Sequence, residues 1–155
     1  MLETLAQARP ATHSVSRTAS VVWKGTLRDG TGTMTTETGT LANTQYSFRT
    51  RFEDGIGTNP DELIAAALSG CFSMSLANEL GQAGLHPEQI ETKATATLEE
   101  LKAGWTLSHV QLDVRAKVPK ATQNDFIDAA VRAKTQCPVA RLLKANISMT
   151  ATLHS

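Results

Sequence analysis

Between Thr58 and Gly84 the sequence reads TNPDELIAAALSGCFSMSLANELGQAG, and this stretch restricts the fold more than any other. Asn59 is a good N-cap, Pro60 suits the first helical position and Glu62 stands three residues after the cap. The Asn-x-x-Glu arrangement is close to a capping box, whose usual first member is Ser or Thr. The spacing predicts one helix of about 24 residues that ends in glycines. From Leu63 to Ala77 it is apolar or small nearly all round, which predicts a buried helix rather than a surface one. Its small residues, Ala65 to Ala67, Ser69, Gly70 and Ser73, allow other elements to approach closely.

Strand patterns stand on both sides of it. In SVVWKGTLRDG, Val21, Trp23 and Leu27 follow a period of two, and RDGTG is a turn. The Thr-rich TMTTETGTL reads as a second strand. TQYSFRTRF reads as a third, with Tyr46, Phe48, Thr50 and Phe52 on one face and Arg49 and Arg51 on the other. After the long helix, TKATATLEEL places Ala94, Ala96 and Leu98 together, and KAG turns the chain. WTLSHVQLDVRAKV then aligns Val110, Leu112, Val114, Ala116 and Val118, so the two segments form a long hairpin. Helices are predicted at TQNDFIDAAVRAKTQ, starting from Thr122 and Asp125, and at CPVARLLKA. NISMTATL closes the chain as a strand. The expected order is β-β-β-α-β-β-α-α-β, an α+β class. Residues 1–17 are read as a tail or arm, with LETLAQAR able to form a helical turn or two before Pro10. Residues 18–155 are read as one domain.

Fifteen basic residues balance fifteen acidic ones with no run of like charge, which argues against a nucleic-acid-binding stripe or a polybasic membrane patch. No segment approaches ~20 consecutive apolar residues, and the N-terminus has no apolar signal core. The expectation is no membrane and a cytoplasmic location. Two cysteines in a reducing compartment point to redox chemistry rather than a structural staple. His13, His86, His109 and His154 lack metal-ligand spacing, so no metal is expected, and His109 is read as a packing or surface residue in a strand.

The cysteines have different settings. Cys71 lies in the apolar helix, where a thiol is normally a small hydrophobe and needs a cation to ionise. Arg51 is the candidate cation. Cys137 precedes Pro138 at a helix start, which lowers a thiol pKa, so Cys137 is the expected acidic thiol. Glu62 precedes Cys71 by nine residues. At about 100° and about 1.5 Å per residue, the two fall on opposite faces of a straight helix, about 13 Å apart along it. If Glu62 serves a Cys71, the simplest solution is a neighbouring copy of the chain in a symmetric dimer.

YSFRTRFEDGIGTNPDELIAAALSGCFSMSLANELGQAG and CPVARLLKANISM resemble the OsmC/Ohr family of thiol peroxidases. The resemblance extends through VVWKGTLRDGTGTM, TETGTL and the central hairpin, from about Ser20 onward. The Trp-Lys-Gly start and the RFE…GTNPDEL phrase look more like the OsmC branch than the Ohr branch. The N-terminal extension departs from the pattern. The resemblance implies an intertwined homodimer with a buried central helix, and reduction of hydroperoxides without metal, heme or flavin. It implies that Cys71 is the peroxidatic cysteine and Cys137 the resolving cysteine. Arg51 and Glu62 are then the pair that activates the thiol. The partners implied are an organic hydroperoxide, accepted in preference to hydrogen peroxide, and an external dithiol such as a protein-bound lipoyl group. Two other readings use the same scaffold. One is a redox sensor whose Cys71 oxidises without rapid turnover, and the other a dimer that binds an apolar ligand.

Overall fold

The computed structural model describes residues 11–154, so the reading of residues 2–9 as helical lies outside it. Two compact units divide the chain, one ending at Gly57 and one running from Thr58.

The first unit is a three-stranded antiparallel sheet in the order β1-β2-β3, formed by β1 (Ala19–Lys24), β2 (Thr31–Thr36) and β3 (Thr44–Ser47). The three predicted strands are present, but each stops early, the second at Thr36 rather than at Leu41. The turn of RDGTG begins sooner than expected and leaves Leu27 outside β1. The third strand ends at Ser47, and Phe48–Phe52 forms a short helix, α1, instead of continuing it. The cause is local. Ser47 Oγ accepts from the Thr50 N–H at 3.4 Å, and Thr50 Oγ1 accepts from the Ser47 N–H at 2.8 Å, a reciprocal cap that turns the backbone. Arg51 is therefore an exposed helical residue near the Phe52 ring, not a strand residue. Trp23 packs against the Tyr46 ring at 5.4 Å and donates its indole N–H to Gly25 O. All of β1 is exposed, Val21 and Val22 included.

The second unit holds the core. Its strands are β4 (Gln89–Leu101), β5 (Gly104–Lys117) and β6 (Asn146–His154). β4 and β5 form the predicted hairpin, turning through Lys102 and Ala103. β6 pairs parallel to β5, because two helices cross over between them. Val110, Leu112, Val114, Ala116 and Val118 are buried on one face, as their alternation predicts. On the other face His109 Nε2 meets Ser148 Oγ at 2.6 Å across the β5–β6 pair.

The long helix, α2 (Pro60–Gln82), covers the inner face of this sheet with Leu68, Phe72, Leu76 and Leu80, all fully buried. α3 (Gln123–Gln136) joins it through Phe126, Ala129, Ala130 and Ala133, at the spacing of one helical stripe. Thr122 caps α3 as expected, exchanging hydrogen bonds with Asp125. The Arg132 guanidinium meets Glu79 at 2.8 Å and ties α3 to α2. Burial of α2 is one-sided in the single chain. Ala66, Ala67 and Gly70 are exposed, and Met74 is 77% exposed. By length and mean hydropathy, 1.4 over 18 residues, α2 would also suit a membrane span, a measure that core helices of water-soluble proteins meet as well.

Candidate active site

Cys71 and Cys137 come together in the second unit. Cys71 lies on α2 one turn beyond Leu68, half-buried and packed against the core. Cys137 is the link between α3 and α4 (Pro138–Leu142). Pro138 excludes helical geometry from the residue before it, and Cys137 accordingly has ψ 117°. The break ends one helix, starts the next and turns the Cys137 side chain inward, where it is fully buried. α4 packs against α2, and the two thiols are neighbours close enough to influence each other's ionisation. Both are free thiols.

The expectation that Cys137 is the acidic thiol is not met. Burial pushes the Cys137 thiol up, and this outweighs the N–H groups of Ala140 and Val139, which favour the thiolate. The neighbouring Cys71 pushes it in the same direction, because a thiolate there would lie beside a second ionisable sulfur. A helix of five residues supplies too weak a dipole to reverse a full loss of solvent. Cys137 thus holds its proton beside Cys71.

Glu62 sits in the first turn of α2, exposed, with its backbone N–H donating to Asn59 Oδ1 at 2.8 Å. The capping box is incomplete in an informative way. The Glu62 carboxylate does not return to the cap backbone; Oε1 accepts the Thr58 hydroxyl at 2.6 Å. α2 is unbroken from Pro60 to Gln82, so Glu62 and Cys71 occupy opposite sides of one helix, as nine residues of separation require. Arg51 belongs to the first unit and is exposed at the last turn of α1. Among the described residues no group of three His, Cys, Asp or Glu side chains is arranged to hold a metal ion. Thr58, the partner of the Glu62 carboxylate, was not singled out in the sequence, where its signal is a hydroxyl four residues before an acid across a helix start.

An α+β chain with a half-buried thiol on its central helix and a second, fully buried thiol against it has the makings of a two-cysteine redox protein. Comparison with known proteins makes that class specific. The family described as OsmC-like protein matches residues 53–152. Peroxiredoxin OsmC of Escherichia coli is 41% identical over 133 residues, covering 86% of this chain and 93% of that protein. The uncharacterized protein YmaD of Bacillus subtilis is 26% identical over 82% of this chain and 85% of its own length. Among solved structures, an OsmC-like protein of unknown function from Vibrio cholerae superposes with a TM-score of 0.73. It is 16% identical and covers 90% of this chain and all of its own. The organic hydroperoxide resistance protein OhrB of Bacillus subtilis gives 0.64 at 18% identity, over 88% of this chain and 98% of that one. The chain belongs to the OsmC family, and the OsmC-branch resemblance read from GTNPDEL agrees with the identity to the Escherichia coli protein.

Proposed function

We propose that this protein is a thiol-dependent peroxidase that reduces organic hydroperoxides, and hydrogen peroxide more weakly, through Cys71 and Cys137. The observation that carries the reading is the thiol pair: a partly accessible Cys71 with a buried Cys137 beside it whose pKa burial raises. The Cys71 thiolate attacks the outer peroxide oxygen, the O–O bond breaks and an alcohol leaves after taking a proton. Cys71 becomes a sulfenic acid, whose condensation with the Cys137 thiol forms a disulfide and releases water. An external dithiol, such as a lipoyl group, reduces that disulfide by exchange and is itself oxidised. Arg51 supplies positive charge and N–H donors to the thiolate and to the oxygen that gains charge, and Glu62 holds the guanidinium. These two roles rest on the family resemblance and on the chemistry of the side chains. The apolar surroundings of Cys71 favour a substrate with an organic tail.

The working unit in this proposal is an intertwined homodimer in the cytoplasm, with residues 18–155 acting as one domain. Three observations support a second copy. Every buried apolar side chain among the described residues falls between Leu68 and Cys137, so the first sheet has no apolar core of its own. The Ala66, Ala67, Gly70 and Met74 face of α2 is uncovered. Glu62 and Cys71 cannot meet within one straight helix. The direct test adds one equivalent of cumene hydroperoxide to the reduced protein, then alkylates it and maps its peptides. A Cys71–Cys137 disulfide is expected, and a Cys137→Ser chain should consume one equivalent and stall. Free thiols after full peroxide consumption would remove the reading.

A further inference from the structure

We propose that Thr58 is a positioning residue for this reaction: its hydroxyl fixes the Glu62 carboxylate so that the remaining oxygen faces a guanidinium. The inference deepens the peroxidase reading and rests on it. Thr58 is 7% exposed, whereas Glu62, to which it is bonded, is exposed. An ionised carboxylate only accepts, so the hydroxyl donates, and the 2.6 Å separation from Oε1 lies in the range of a charge-assisted hydrogen bond.

This contact is not needed to start the helix. Asn59 already caps α2 through its side-chain oxygen, and Pro60 opens it. The Thr58 hydroxyl therefore serves the carboxylate alone. Without it, an exposed glutamate samples many rotamers; with it, Asn59 pins the backbone of Glu62 and Thr58 pins the head group. Oε2, and the second lone pair of Oε1, stay available for the two parallel N–H donors of an arginine. The fold thus presents an acceptor in a set direction before any cation arrives, and the cation-bound state loses less side-chain freedom.

The test follows Cys71 oxidation by cumene hydroperoxide in single turnover, as a second-order rate, for Thr58→Val, Thr58→Ser and Thr58→Val combined with Glu62→Gln. Loss of the hydroxyl should slow oxidation on the order of tenfold, and serine should recover most of the rate. In the Glu62→Gln background the valine change should cost less than about twofold, because Thr58 acts through Glu62. Thr58→Ala gives the same comparison if the valine chain does not fold. Equal rates for valine, serine and wild type overturn the role of Thr58 while leaving the peroxidase intact. So does a full, additive loss in the Glu62→Gln background. A wild-type protein that does not react with the hydroperoxide overturns the function itself, and the Thr58 proposal with it.

Discussion

If Glu62 serves Cys71, it must serve the Cys71 of another chain, and this can be measured by mixing two inactive proteins. Both residues lie on α2, which runs without a break from Pro60 to Gln82. Nine steps of about 100° bring the side chains to opposite faces, and nine rises of about 1.5 Å separate them by about 13 Å along the axis. No rotamer of a glutamate reaches around its own helix over that span. Cys137, by contrast, neighbours the Cys71 of its own chain, so each site would combine two thiols from one chain with a carboxylate from the other. Cys71→Ala and Glu62→Ala homodimers should each be nearly inactive. In a mixed dimer one site has lost both its cysteine and its carboxylate, while the other keeps its cysteine from one chain and its carboxylate from the other. Random exchange of equal amounts places half the protein in mixed dimers with one working site in two, so about a quarter of wild-type activity should return. The assay is hydroperoxide consumption with dihydrolipoamide, with mass spectrometry to establish subunit exchange. Exchange without any regain of activity would refute the shared site.

Three other outcomes follow from the geometry. Arg132→Ala deprives the largely buried Glu79 carboxylate of its partner at 2.8 Å and loosens α3 on α2. It should cost about 1–3 kcal/mol in urea unfolding, and a change within error would mean the pair is solvated and idle. For Cys137, burial raises the folded-state value above the ordinary 9.0, so its contribution to stability is intact below 9.0 and is lost as pH rises above it. Cys137→Ser should therefore flatten part of the alkaline fall in stability of the reduced protein, and an unchanged alkaline slope would contradict the burial argument. The same burial makes Cys137 a poor leaving group when a dithiol attacks Cys71 in the disulfide. Stopped-flow reduction of the oxidised protein by dihydrolipoamide should be slower than its oxidation by cumene hydroperoxide at equal concentrations. The reverse order would show that the disulfide form exposes Cys137.

What could be read in the sequence was whatever local chemistry decides. The start of α2 follows from Asn59 and Pro60 alone, and the buried face of β5 follows from strict alternation at Val110 to Val118. The alternation of Tyr46, Phe48, Thr50 and Phe52 misleads for the same reason. It has the period of a strand, yet a Ser47–Thr50 exchange of hydrogen bonds turns the chain into a helix. Thr50 is a less usual third capping residue than Glu or Gln, so the signal is present but weak. The parallel seat of β6 and the burial of Cys137 depend on how α3 and α4 cross back over α2, and no spacing along the chain encodes that packing. Helix-start arguments gave the wrong sign for Cys137 because they count dipoles without counting lost water.

That reversed sign makes better sense of two cysteines than the original expectation did. If Cys137 were an acidic thiolate at a helix start, it would compete with Cys71 for peroxide and for any other oxidant that entered. Buried, with its pKa raised, it meets no solvent and keeps its proton beside Cys71. In the proposed cycle it becomes reactive only after Cys71 carries an oxygen, when the sulfenic hydroxyl needs a proton to leave as water and Cys137 has one to give. The proton that makes Cys137 inert at rest is then the one consumed in closing the disulfide. Accessibility separates the two roles: the half-open sulfur on α2 takes the substrate, and the closed sulfur behind Pro138 takes only the intermediate formed on its neighbour.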